Sequence, residues 1–302
     1  MEKILVTGAF GQLGTEIQLL TAGRPEFLFT DIRAEGPVQA LDICDAEAVE
    51  RFIAGNGVGA IVNCAAYTAV DQAESDRERC FAINVEGPAN LARAARRHNA
   101  ALVQISTDYV FDGRRKSGIP YYESSRRHPV SVYGESKRVC EDVIRRIGCR
   151  GVIIRTAWLY SPFGKNFVKT MLRLGAEKPM VGVVADQFGT PTYARDLAVA
   201  ILAILPQIGD RRGEIYHFTD EGRCSWAEFA ACIMAEAGLS CPVQPLTTDQ
   251  YPTPATRPAW SVLSKEKIRR DFAVATPQWE ESLRDCLVRM KKQAPGCLSP
   301  TK

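Results

Sequence analysis

Lys3-Ile4-Leu5-Val6-Thr7-Gly8-Ala9-Phe10-Gly11-Gln12-Leu13-Gly14 is the stretch that decides the fold. Lys3 to Thr7 is an apolar run of strand length, and a helical pattern follows the glycines to about Leu20. Glycines at 8, 11 and 14 allow a tight turn, close approach of backbone to a pyrophosphate, and close helix–strand packing. The free N–H groups and positive dipole end of the helix then face the phosphates. A glycine series between a strand and a helix predicts a dinucleotide site, with Gly8, Phe10, Gly11, Gln12 and Leu13 forming the cradle.

The reading extends outward from there. A second strand, Phe27 to Thr30, ends at Asp31, where an acid would hold a ribose hydroxyl pair. Arg33 would instead meet a 2′-phosphate, so NADH and NADPH both stay open. Asp42 and Ile43 are placed at the adenine edge. A helix follows from Asp45, then the strand Ala60 to Ala66, where the small Ala65 and Ala66 let a cofactor come close. Ser75-Asp76-Arg77-Glu78 has the form of a capping box and starts a helix to about His98, with a kink expected at Pro88. Asn84 on that helix fits a structural or a functional role equally well.

Ala101 to Ile105 is another buried strand, and it leads into Ser106-Thr107-Asp108-Tyr109-Val110-Phe111. Thr107 falls just past a strand's carboxyl end, where open parallel sheets bind ligands. Tyr133-Gly134-Glu135-Ser136-Lys137 opens an amphipathic helix, and residues four apart share a helix face. Hydroxyl, phenol and ammonium together suit proton transfer to a carbonyl oxygen. A lysine charge at ~4 Å and effective dielectric ~20 is worth roughly 4 kcal/mol. That would lower a tyrosine pKa from near 10 by up to about three units, into general-acid range.

Val152 to Arg155 is the next strand, followed by Thr156-Ala157-Trp158. Residues 164–176, 194–205, 226–237, 264–271 and 278–292 read as helices. Gly189 to Thr192 reads as a loop, and Ile215 to Phe218 as a late strand. The last residues read as frayed. Alternating strands and helices predict an α/β fold, a doubly wound parallel sheet of Rossmann type. We divide it into a nucleotide-binding domain, 1–160, and a smaller C-terminal substrate-binding lobe, 161–302, whose strand near 213–218 returns to the sheet.

With 38 basic and 35 acidic residues in 302, the net charge of +3 argues against a nucleic-acid partner. The longest apolar run, Leu197 to Leu205, is too short to span a bilayer. No targeting segment precedes the first strand, and the ten scattered cysteines form no Cys-x-x-Cys pair. The expectation is a cytoplasmic chain with small buried cysteines.

Taken together, these motifs resemble the extended short-chain dehydrogenase/reductase superfamily, and within it the dTDP-4-dehydrorhamnose reductase family. The matching stretches are Ala65 to Glu74, Ser106 to Phe111, Val132 to Gly134, Arg155 to Tyr160, Asn166 to Leu172, Asp186 to Thr192 and Tyr251 to Pro258. The resemblance implies a reduced nicotinamide, NADPH or NADH, giving hydride to C4 of dTDP-4-dehydro-L-rhamnose in dTDP-rhamnose biosynthesis. It implies Tyr133 as proton donor and Lys137 as the group that lowers its pKa and holds the nicotinamide ribose. Thr107 and Asp108 then stand at the reacting centre, Trp158 faces the sugar, and Arg257 contacts the nucleotide diphosphate. Members of the family bridge a dimer through magnesium held by glutamates. Glu16 is present here, but Arg195 stands where a second acid is expected, which puts magnesium in doubt and leaves a monomer or a homodimer held otherwise, with Glu16 a surface residue or ion-pair partner.

Three other activities share the framework. A sugar 4,6-dehydratase would need an acid after the Thr107-Asp108 pair, where Tyr109 stands. An epimerase would share the Tyr133–Lys137 pair but keep its cofactor through purification. A methionine adenosyltransferase regulatory subunit would not need the intact trio.

Overall fold

The computed structural model describes residues 2–115 and 118–293. Seven strands, β1 (Lys3–Thr7), β2 (Phe27–Asp31), β3 (Gln39–Ala40), β4 (Val58–Asn63), β5 (Ala101–Thr107), β6 (Gly151–Thr156) and β7 (Arg212–His217), form one sheet. Their spatial order is β7-β6-β5-β4-β1-β2-β3, and every pairing is parallel. Chain order reverses direction between β1 and β4, so a crevice opens there at the strands' carboxyl ends. Helices cover both faces, which is why successive residues of β1 are both apolar: Leu5 enters one core and Val6 the other.

The late strand returns as expected, with Ile215, Tyr216 and His217 opposite Ile153, Ile154 and Arg155. The helices Ala194–Ile204 and Glu266–Phe272 also pack on the sheet, against the helix Gln12–Leu20 and the inner residues of β1 and β6. A separate core gathers Tyr160, Val168, Met171, Phe229, Ile233 and Trp279 beyond the sheet's edge.

Some local expectations change. β4 ends at Asn63 rather than Ala66, and there the Asn63 side-chain oxygen accepts from the Thr7 hydroxyl at 2.6 Å and the Ala65 N–H at 3.2 Å. The long helix is made of Arg77–Phe81, a π-helical turn Ala82–Glu86, and Gly87–Arg97. Pro88 has no N–H for the carbonyl four residues back, and the wider turn before it absorbs the mismatch. The capping box does not form: Asp76 is the N-cap without a side-chain bond, and the Ser75 hydroxyl donates to the Gln72 carbonyl. Asn84 is structural, since its amide exchanges bonds of 2.9 and 3.1 Å with the Tyr67 backbone and donates to Ser136 at 3.0 Å. The stretch read as a loop at 189–192 contributes to two small ribbons, Phe188–Gly189 on Cys224–Ser225 and Thr192–Tyr193 on Leu159–Tyr160. Val181–Val184 pairs with Val243–Leu246 in a third. Such short strands carry too little periodicity to read. The frayed end and Cys297 lie outside the described residues.

Candidate active site

The glycine turn is fixed by contacts that leave no room for side chains. Gly8 has φ +67°, and a Cβ there would lie 2.6 Å from the Ala65 nitrogen. A Cβ at Gly14 would lie 2.3 Å from the Gly8 carbonyl oxygen. The first helix therefore packs directly on the turn, its N-terminus aimed at the crevice. Asp31 closes the turn from the neighbouring strand: its carboxylate accepts the Phe10 N–H at 3.0 Å and the Ile32 N–H at 2.8 Å. A buried relay of side-chain amides joins the strand ends, with Asn63 donating to Gln104 at 2.7 Å and Gln104 to the Ile105 carbonyl at 2.8 Å.

The crevice is a cavity of about 860 Å³ running from this turn to the C-terminal lobe. Of the residues proposed from sequence, Gly11, Gln12, Leu13, Ala65, Ala66, Thr107, Asp108, Tyr133, Lys137, Trp158 and Arg257 all line it. Gly8, Phe10 and Asp31 stand behind the wall as the turn's frame. Asp42 and Ile43 are not brought to it. The Ile43 side chain is buried in the core under Gly87, and Asp42 accepts the Cys44 N–H at 2.9 Å across its own turn.

The helix Val132–Ile147 carries two of the three side chains singled out from sequence, Tyr133 and Lys137. Ser131 caps it by accepting the Gly134 N–H at 3.2 Å, and Gly134 must be glycine because a Cβ would lie 2.2 Å from the Tyr109 carbonyl oxygen. Tyr133 and Lys137 thus approach the end of β5 closely. The Lys137 ammonium donates to the Ile105 carbonyl at 2.7 Å, and burial lowers its pKa. The Tyr133 ring lies edge-on to Tyr109 at 5.7 Å, and its phenol faces the Thr107 hydroxyl. Burial pushes the Tyr133 phenol well above its ordinary range, and the neighbouring Thr107 hydroxyl pulls the other way. The lowering expected from Lys137 is not found, because that ammonium is turned to the backbone of β5. One turn further along the helix, buried Glu141 takes two bonds of 2.7 Å from Arg155 of β6 and one of 2.7 Å from Ser106 of β5. That clamp fixes the helix against both strands.

Trp158 sits at φ +49°, a left-handed conformation that bulky residues rarely hold. Its ring stacks on Trp226 at 3.5 Å, and a Cβ at Gly189 would lie 2.6 Å from its indole. Sequence reading missed Trp226, Phe167 and Gln187 as cavity residues, and also Asp71. Asp71 accepts two bonds from Arg257, at 3.0 and 2.7 Å. The Asp71 signal was present in the matching run Ala65 to Glu74; nothing in the sequence marked Trp226 beyond a helix start.

Glu16 is not a surface residue. It is fully buried, accepts from Arg289 at 2.9 and 3.0 Å and lies 3.7 Å from Arg195. Two guanidinium groups on one carboxylate do not fit a divalent cation, which takes several oxygen ligands. Among the described residues no group of three or more His, Cys, Asp or Glu is arranged to hold a metal.

A family model described as RmlD substrate binding domain matches residues 1–292. The chain belongs to this family. A dTDP-4-dehydrorhamnose reductase from Aggregatibacter actinomycetemcomitans is 42% identical over 296 residues, covering 94% of this chain and 98% of that one. The crystal structure of a Clostridium acetobutylicum dTDP-4-dehydrorhamnose reductase superposes with a TM-score of 0.89 at 40% identity, covering 96% of this chain and 99% of that one. A Bacillus anthracis dTDP-4-dehydrorhamnose reductase, solved in complex with NADP, gives 0.88 at 37% identity, with 95% and 99% covered. The RmlD family thus spans the sheet and the lobe alike, and no helix among the described residues is long and apolar enough to cross a membrane.

Proposed function

We propose that this chain catalyses NADPH-dependent reduction of the C4 keto group of dTDP-4-dehydro-L-rhamnose to dTDP-L-rhamnose. The observation that carries this reading is the single cavity that joins a dinucleotide turn, the Thr107–Tyr133–Lys137 trio and Arg257 of the opposite lobe. NADPH, when bound, supplies the hydride. The turn and the first helix's N-terminus bind its phosphates, with Asp31 holding the turn's shape. Tyr133 donates the proton to the carbonyl oxygen, and Thr107 orients the phenol. Lys137, beside β5's carboxyl end, holds the ribose of the nicotinamide. The stacked Trp158 and Trp226 make an apolar wall against the deoxysugar, and the Arg257 guanidinium binds the diphosphate. The residues beyond 160 that line the cavity act as the substrate-binding lobe. As a biosynthetic enzyme with a soluble substrate, the chain works in the cytoplasm, as a monomer or as a homodimer without bridging magnesium.

The test supplies purified protein with NADPH and the keto sugar nucleotide. Oxidation of NADPH in amounts matching the sugar consumed supports the reading. Interconversion of sugars without net oxidation would make the chain an epimerase, and no reaction at all would leave a binding subunit.

A further inference from the structure

Gln187 is a buried amide on the cavity wall to which the reductase reading gives no task. A side-chain amide can turn either its oxygen or its nitrogen to a cavity, and its partners decide which. Here they decide it. Asp186 accepts the Thr248 N–H at 2.9 Å and the Thr248 hydroxyl at 2.7 Å. A carboxylate only accepts, so the single proton of that hydroxyl goes to Asp186. What the hydroxyl offers Gln187, at 3.1 Å, is a lone pair, and the Gln187 atom that meets it is the nitrogen. The amide oxygen and one N–H are left over.

The residue after Gln187 is laid against the stretch that follows Arg257. The Phe188 N–H donates to the Ala259 carbonyl at 2.9 Å, and the Ser261 N–H to the Phe188 carbonyl at 2.8 Å. Val183 and Val184 continue the same cavity wall. A nucleotide held by its diphosphate at Arg257 thus brings its base and ribose to this wall. Phosphate oxygens accept and cannot satisfy an amide oxygen, whereas a base N–H can. Thymine and uracil present N3–H beside a carbonyl, which matches an amide's oxygen and N–H as a pair. Cytosine presents a lone pair at N3, which opposes the amide oxygen.

We propose that Gln187 reads the base of the nucleotide sugar. Its oxygen accepts the N3–H of a 4-keto pyrimidine, and its remaining N–H donates to the adjoining carbonyl. Thr248 is the positioning residue that fixes the direction of the amide. The proposal rests on the nucleotide-sugar reading above and adds to it which side chain selects thymine or uracil over cytosine.

The test uses dUDP and dCDP, which differ only at N3 and the 4-substituent. Their dissociation constants are measured by calorimetry with NADP-loaded protein. Wild type should bind dUDP about tenfold more tightly than dCDP, or better, the effect of one hydrogen bond gained against one buried acceptor opposed. Gln187→Leu should weaken dUDP about tenfold and leave dCDP within about twofold, so that the preference disappears. Thr248→Val keeps Gln187 but frees its amide to turn over and offer nitrogen to cytosine. There dCDP should gain, and the preference should shrink to about threefold or less. A glutamine that only packs the wall would not carry a change at Thr248 into the choice between bases. Equal binding of the two nucleotides by wild type would overturn the proposal. So would equal losses for both in Gln187→Leu, which would place the amide on the ribose, or an unchanged preference in Thr248→Val. Should Gln187→Leu not fold, Thr248→Val decides alone. Turnover of the keto sugar nucleotide separates the two readings: base preference without reduction would defeat the reductase reading alone, and reduction without base preference would defeat this one alone.

Discussion

Arg257 grips Asp71 across the mouth of the cavity with two N–H···O bonds of 3.0 and 2.7 Å. The same Nη1 also donates to Thr253 and the Ala255 carbonyl. A guanidinium has five N–H groups in a planar fork, so one edge is spent on Asp71 and the loop while Nε–H and one Nη2–H can face a diphosphate. Arg257→Ala should therefore raise the KM for the nucleotide sugar by roughly 10- to 100-fold, the ~1.5–3 kcal/mol of charged hydrogen bonds, with kcat nearly unchanged. Asp71→Ala, which only loosens the arginine, should cost less. Equal KM values for Arg257→Ala and wild type would place the diphosphate elsewhere.

Tyr133→Phe keeps the ring against Tyr109 and removes only the phenolic proton. Its kcat should fall ~10²- to 10⁴-fold while NADPH binding, followed by fluorescence, stays within a fewfold of wild type. Near-native turnover of the folded variant would take Tyr133 out of the mechanism.

Asp31 does two things at once, and its removal should show both. Losing the carboxylate frees the Phe10 N–H and loosens the glycine turn, so both cofactors should bind more weakly. NADH should lose more, because it also loses a ribose partner while NADPH is relieved of repulsion against its 2′-phosphate. The ratio of kcat/KM values for the two cofactors measures this. An unchanged ratio would reduce Asp31 to a frame for the turn.

The raised pKa of Asp108 carries a stability cost with a definite sign. Between the unfolded value near 3.8 and the folded value of about 6, the folded state holds the proton more tightly. Stability is thus lost as pH rises through that window, by about 3 kcal/mol in all. Asp108→Asn removes the loss. The melting-temperature difference, variant minus wild type, should grow from pH 4 to pH 7. A difference that stays level would mean that Asp108 ionises as easily folded as unfolded.

Glu16 makes the corresponding prediction for metal. Held by Arg289 and Arg195, it should leave activity and oligomeric state unmoved by excess EDTA or added magnesium. Glu16→Ala strands two arginines beside a buried site and should destabilise the protein by about 3 kcal/mol, read by denaturant titration. A dimer that falls apart on chelation would contradict the ion-pair reading.

Much of this was legible in the chain. The glycine turn, the alternation to Arg155 and the four-residue spacing of Tyr133 and Lys137 are short-range patterns, and each formed where the pattern placed it. What could not be read depends on contacts between distant segments. The Arg257–Asp71 pair spans 186 positions. Trp226 gains meaning only from the ring of Trp158, whose left-handed backbone no propensity would suggest. Ile43 reads two ways, because an apolar residue at a strand's end serves a cofactor edge or a core equally well; its side chain lies in the core beneath Gly87. The orientation of the Lys137 ammonium toward β5 likewise follows from helix packing, not spacing.

The central claim is that hydride and proton meet at one carbon–oxygen bond in the cavity at the end of β5. The most direct measurement uses NADPH carrying deuterium at the transferable position of the nicotinamide, and locates the label in the sugar product by NMR. The account predicts one deuterium at C4 of dTDP-L-rhamnose per NADPH oxidised, with solvent hydrogen on the C4 oxygen. Label at any other carbon, or product formed without label, would contradict it.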